Sequence, residues 1–150
     1  MTDGYRFHHA WTVAAPRQQV YDVLADVADY PLWWPQVVAV ALIDDRSGYA
    51  DCRSLAPFTL HLVLTAERED SEAGVLRVAV DGDLEGWCEF RLSDAGEGTA
   101  VEFAQHVVVR RPLLRVAGRV LGPALRVNHA WMMRGCRRGL AQRLARERAT

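Results

Sequence analysis

Polar and apolar residues alternate over residues 5–13, where Tyr5, Phe7, His9, Trp11 and Val13 share one face at period two, as in a half-buried strand. Pro16 suits a first helical position, and Val20, Tyr21, Leu24 and Val27 follow at helical spacing, which predicts a short helix over about 16–28. Tyr30-Pro31-Leu32-Trp33-Trp34-Pro35 ends it, because each proline disfavours helix in the residue before it. The middle of the chain is strand after strand. Residues 36–43 close on the turn Asp44-Asp45-Arg46-Ser47-Gly48, and Tyr49 to Leu55 run to Pro57. Phe58, Leu60, Leu62 and Leu64 alternate with Thr59, His61, Val63 and Thr65. Segments 75–80, 84–92 and 99–109 follow, separated by Asp-Gly and Ala-Gly turns, in the spacing of an antiparallel meander.

From Pro112 onward the period becomes helical. Leu125, Asn128, Met132, Cys136 and Gly139 form one stripe, which Leu114, Gly118 and Leu121 extend backward if the helix is continuous. Arg115, Arg119, Arg126, Arg134 and Arg137 fall on the opposite side, and Gly122-Pro123 should kink the helix or split it. The expected architecture is α+β: a curved antiparallel sheet wrapped around a long C-terminal helix, in one domain over 1–150.

A sheet curled around a helix must turn its more apolar face inward. Alternation then assigns Phe7, His9, Trp11 and Val13 to the wall from the first strand. Leu60, Leu62, Leu64, Ala66 and, at the strand's end, Arg68 join them from the fourth. Cys88, Phe90 and Leu92 come from the sixth, and Val101, Phe103, Gln105 and Val107 from the last. An apolar wall with a few polar interruptions either fills a core or receives a small molecule. Gln105 and Asn128 each bond within the protein or offer an amide to a ligand carbonyl or hydroxyl. His9 is either a hydrogen-bonded core histidine or a general acid/base. His129 lies one helix step off the stripe and only flanks it.

Composition narrows the functions. Half of the 150 residues are hydrophobic and a quarter charged, so a packed core is available without disulfides or a metal. Cys52, Cys88 and Cys136 are scattered with no Cys-x-x-Cys pair, which points to a reducing cytoplasm. No basic head with an apolar core opens the chain, and no apolar run reaches membrane-spanning length. There is no Gly-x-Ser-x-Gly elbow, phosphate loop, dinucleotide fingerprint or His-Glu-x-x-His, so no cofactor or metal is expected. Net charge is −1, but from Arg110 onward there are eleven arginines and one acid, Glu147. That face is a solvated surface or a dock for an acidic partner; nucleic acid is not expected, since aromatic residues are sparse there.

Several motifs bear a family likeness: Ala15-Pro16, Val27-Ala28-Asp29-Tyr30-Pro31 with Trp33-Trp34-Pro35, Gly82-Asp83-Leu84-Glu85-Gly86, Gly98-Thr99, and Asn128-His129 with Met132 and Gly135. Through them nearly the whole chain resembles the Bet v 1-like/START superfamily, in its bacterial polyketide cyclase/dehydrase and lipid transport branch. The resemblance implies a helix-grip fold with about seven strands, two short helices and a long C-terminal helix. It implies a pocket for a polyketide, lipid or isoprenoid-like molecule, with Trp34 or Trp33 as part of its entrance; alternation and the helix stripe supply Trp11, Leu62, Leu64, Phe90, Phe103, Gln105, Asn128 and Met132 as its contacts. Members include carriers, sensors and cyclases on one frame, so chemistry must come from the site. By its place, Arg68 is similar to the arginine with which aromatase/cyclases hold polyketide oxygens, where a fixed cation stabilises an enolate. The chain differs from those cyclases at Leu62 and Leu64, where they place tryptophans, and at Val37, near their pocket tyrosine. An acidic acyl carrier protein is the candidate partner for the arginine face.

Overall fold

The computed structural model describes residues 4–54, 59–110 and 118–148. The strands are β1 (Gly4–Val13), β2 (Val37–Leu42), β3 (Ser47–Arg53), β4 (Thr59–Asp70), β5 (Val75–Gly82), β6 (Leu84–Ala95) and β7 (Gly98–Val109). The helices are α1 (Arg17–Ala25), α2 (Tyr30–Trp33) and α3 (Gly118–Arg148), with a 3-10 turn at Val27–Asp29. The one short helix that periodicity predicts is thus divided. Pro31 stands in the first turn of α2, where its missing N–H costs nothing.

Among the described residues the strands make one curved antiparallel sheet in the order β1-β7-β6-β5-β4-β3-β2, the helix-grip arrangement. β2 to β7 pair with their sequence neighbours, while α1 and α2 carry the chain from β1 at one edge to β2 at the other. β1 then pairs with β7 from Gly4↔Val108 to Val13↔Thr99. The buried Thr99 hydroxyl donates to the Ala15 carbonyl at 2.7 Å, fixing the turn that leaves β1. At Gly86, opposite Val107, a Cβ would stand 1.9 Å from the His106 carbonyl oxygen, so β6 and β7 come together there only because the side chain is absent.

α1 buries Val20, Tyr21, Val23 and Leu24. α3 meets it with Met133, Cys136, Leu140 and Leu144, all nearly inaccessible. The buried stripe of α3 therefore runs through His129, Met133, Cys136 and Leu140. Leu125, Asn128 and Met132, expected at its centre, are only half-buried, because they border open space and not a packed layer. The helix is continuous through Pro123, which removes one donor near its N-terminal end and does not split it. Leu114 and Arg115 lie outside the described residues, as do the side chains of Arg119 and Leu121.

Candidate functional site

A cavity of about 740 Å³ lies between the sheet and the N-terminal half of α3. Its wall is mostly aliphatic and aromatic, with Leu62 and Leu64 from β4, Val78 and Val80 from β5, Phe90 from β6 and Phe103 from β7. Pro123, Leu125, Asn128, Met132 and Met133 close it from the helix side. Leu42 and Tyr49 of the β2–β3 hairpin and Val127 of α3 line it while being strongly exposed, so they rim its opening.

Trp34 lines the cavity, and its indole N–H donates to the Met132 carbonyl at 3.0 Å, tying the segment after α2 to α3. Trp33 does not reach the cavity. Successive residues of a helical turn point about 100° apart, and Trp33 turns under α3, where its carbonyl oxygen abuts Gly139. Trp11 is also absent from the wall. It sits far along β1, opposite Val101, where α3 covers the sheet and the Arg137 guanidinium lies 5.7 Å from its ring centroid. The cavity faces the other end of β1, at Tyr5 and Phe7.

Arg68 stands at the edge of the cavity, not over its floor. A bulge shifts the β4–β5 register between Ala66 and Arg68, so Arg68 pairs with Arg77 and Glu69 with the cavity-lining Leu76. Simple alternation, which assigns Arg68 to the wall, is interrupted by the extra residue Glu67. The Arg68 guanidinium is about half exposed and donates to Asp70 at 3.1 Å.

Two polar groups of the wall, His129 and Gln105, are joined in a chain with His9, which does not itself line the cavity. His9 Nε2 lies 3.2 Å from His129 Nδ1, and His129 Nε2 lies 2.8 Å from Gln105 Oε1. Phe7 stacks on the His129 ring at 3.8 Å between centroids. Burial first, then the neighbouring His9, pushes the His129 pKa down to about 3, so the ring is neutral near neutral pH. His9 is itself lowered by burial and by His8 and Arg137. Sequence reasoning passed over His129, although a stripe through Leu125, His129 and Met133 runs on to Leu140 and Leu144, whereas the stripe through Asn128 and Met132 runs into Arg143.

Cys52 and Cys88 also face the cavity, with thiols pushed up to about 12, chiefly by burial. They are protonated at neutral pH and act there as small apolar groups. Among the described residues no group of three or more His, Cys, Asp or Glu could hold a metal ion. No described helix is long and apolar enough to cross a membrane. Arg126, Arg134 and Arg137 of α3 are exposed, but Arg137 reaches toward β1 beside Trp11 and is not on the outer side as expected, while Arg143 is held by Asp29 at 3.1 Å and by Glu147.

The family described as polyketide cyclase/dehydrase and lipid transport matches residues 13–134. No curated protein matches the chain in sequence. Among solved structures, a protein of Thermus thermophilus is similar with a TM-score of 0.84 at 15% identity, covering 95% of this chain and 99% of that one. The Zhui aromatase/cyclase of a Streptomyces species follows with a TM-score of 0.81 at 18% identity, over 95% and 94% of the two chains. A START superfamily protein of Mycobacterium smegmatis has a TM-score of 0.77 at 15% identity, over 97% and 99%. At these identities the likeness speaks for the fold alone.

Proposed function

The chain belongs to the polyketide cyclase/dehydrase and lipid transport family, and we propose that it binds a hydrophobic small molecule of polyketide, lipid or isoprenoid type between its sheet and α3. The observation that carries this reading is the cavity itself. It has the size of a ligand site, its wall is apolar, and its opening is rimmed by apolar side chains that a packed core would have buried. Charged residues such as Asp44, Asp45 and Arg46 reach it from the β2–β3 turn, while Gln105, His129 and Asn128 bring polar groups from β7 and α3.

Carriage is favoured over turnover by the state of those groups. His9, His129 and Gln105 bond to one another, and His129 holds no proton to give near neutral pH beyond the one its hydrogen bonds need. The cyclase/dehydratase reading has one specific observation on its side, the place of Arg68 at the cavity edge, where its cation would meet an enolate on a ligand reaching out of the opening. In that reading His9, or a water on Gln105, moves protons, and much of the rate comes from orientation.

The test is to fill the cavity. Leu64→Trp places an indole in the wall and should leave melting close to wild type while lowering the affinity for an apolar fluorescent dye such as anilinonaphthalenesulfonate by tenfold or more. Dye binding undiminished in this variant, with the fold intact, would put the ligand elsewhere. Incubation with a reactive poly-β-carbonyl thioester separates carrier from cyclase: a carrier returns it unchanged, and a cyclase that uses Arg68 loses its product on Arg68→Gln.

A further inference from the structure

Gln105 lines the cavity from the middle of β7, and its two amide heads have different surroundings. The oxygen is engaged by His129 Nε2. The nitrogen has no hydrogen-bond partner among the described residues, yet it is not one of the sealed, unpartnered atoms, which are Trp11 Nε1, Trp33 Nε1 and Gln36 Oε1. It is therefore open to the cavity.

The direction of the chain decides what a ligand meets. A neutral imidazole has one N–H and one bare nitrogen, so His129 must donate on one side and accept on the other. Bonding to the amide oxygen places its proton on Nε2, and Nδ1 then accepts from His9 Nε2–H. Every donor points inward, and the NH2 of Gln105 is the end of the line. The reversed chain, with the amide turned over and its oxygen toward the cavity, needs a bare His9 Nε2. Burial holds His9 below its ordinary value, so near neutral pH the direction rests on the geometry, with the amide oxygen and not its nitrogen lying toward His129 Nε2. The charged or titratable groups facing His9 are His8 on β1 and Arg137 and His129 on α3, and the β7 residue opposite it is Phe103.

We infer that the cavity selects ligands bearing a carbonyl or enolate oxygen, received by the Gln105 amide N–H, with His9 and His129 as positioning residues that set the direction of the amide. This rests on the ligand-binding reading above and adds the functional group a ligand must present. The ring stack of Phe7 on His129 keeps the imidazole in the plane the chain requires.

Two measurements on the full chain test it. Nitrogen NMR of the imidazoles should find the proton of His129 on Nε2 in the unliganded protein; a proton on Nδ1 would overturn the inference without any ligand. Calorimetric titration with fluorenone and fluorene, one frame with and without a ketone oxygen, reads the selectivity. The fluorenone-to-fluorene affinity ratio should fall roughly threefold to tenfold in Gln105→Met, the loss of one hydrogen bond. It should fall part of the way in His129→Phe, which keeps the stack on Phe7 but frees the amide to turn. A ratio unchanged in Gln105→Met, with both probes still bound, sinks this inference and leaves the cavity reading standing. If the wild type binds neither probe, both fall together.

Discussion

Gly139 is the point at which α3 touches the segment that carries Trp34, and enlarging it should loosen the cavity from behind. A Cβ built there stands 1.7 Å from the Trp33 carbonyl oxygen, whereas ordinary contact begins at 3.4 Å, so α2 and α3 must part by about 1.7 Å to accept it. The obstacle is backbone and cannot rotate away. Overpacking of this kind costs about 1–3 kcal/mol. Against rigid backbone the cost lies in the upper part of that range, about 2–3 kcal/mol, and alanine recovers about 1 kcal/mol over glycine inside a helix, leaving a net loss of about 1–2 kcal/mol for Gly139→Ala. For a chain of this length that is a drop in Tm of about 2–8 °C. Gly135→Ala, one turn earlier, is the control. Its Cβ meets the end of the Gln36 side chain at 1.9 Å, which can swing aside at the cost of a weak 3.4 Å hydrogen bond to the Trp131 carbonyl. The loss and the gain in helix propensity nearly cancel, so its stability should stay within about 0.5 kcal/mol of wild type. Urea denaturation of the two variants beside the wild type measures both. Equal stability of Gly139→Ala and Gly135→Ala would refute the claim that a rigid backbone contact, not crowding in general, sets the distance of α3.

Acid should destabilise the fold through His129. The unfolded chain takes up this proton at about 6.5 and the native ring only at about 3, so stability that is complete above about 6.5 is lost as pH falls toward 3, at about 1.4 kcal/mol per unit. His129→Phe should flatten that slope relative to wild type in urea titrations across pH 4–7 by about this amount per unit, and parallel slopes would mean that the ring is not buried neutral. On the outer face of α3, charge reversal of Arg126 and Arg134 should leave Tm nearly unchanged, since exposed charges are worth only ~0–1 kcal/mol each. The same double variant should lose any low-salt capture by an acidic acyl carrier protein; if wild type captures none either, the arginine face is a solvated surface.

The sheet was legible because its signal is local: period-two apolar positions with Gly and Asp turns give the meander from Val37 to Val109 and put Leu62, Leu64, Phe90 and Phe103 on one face. Less legible were features in which one residue breaks a period. The extra Glu67 in β4 carries Arg68 to the cavity edge, and no pattern of hydrophobicity announces a bulge inside a charged run. Trp33 and Trp34 look alike as letters, yet a single residue step, about 100° around a helix, sends the first beneath α3 and the second to the ligand side. His129 was displaced from the helix stripe by Asn128, because apolar patterning cannot distinguish a side that borders a cavity from a side that borders packed core. The His9–His129–Gln105 chain joins residues 120 apart in sequence, and only the folded sheet brings them together.

The pairing of β1 with β7 has a kinetic side. Every other strand pair joins sequence neighbours, but Gly4 meets Val108. β1 leaves the ribosome before the other strands of this sheet and has no partner until β7, the last of them, exists. Closing so long a loop carries an entropic penalty that local hairpins avoid, so the meander from β2 to β7 should assemble first and leave the free edge of β7 waiting for β1. Tyr5 and Phe7 arrive with that final strand and bring one wall of the cavity with them. Until then α3 has only part of a sheet to close upon, and an apolar ligand meets an open trough instead of a pocket. A ligand present during refolding should therefore leave the early phases untouched and act on the last, slowing the release of β1 and not hastening the hairpins.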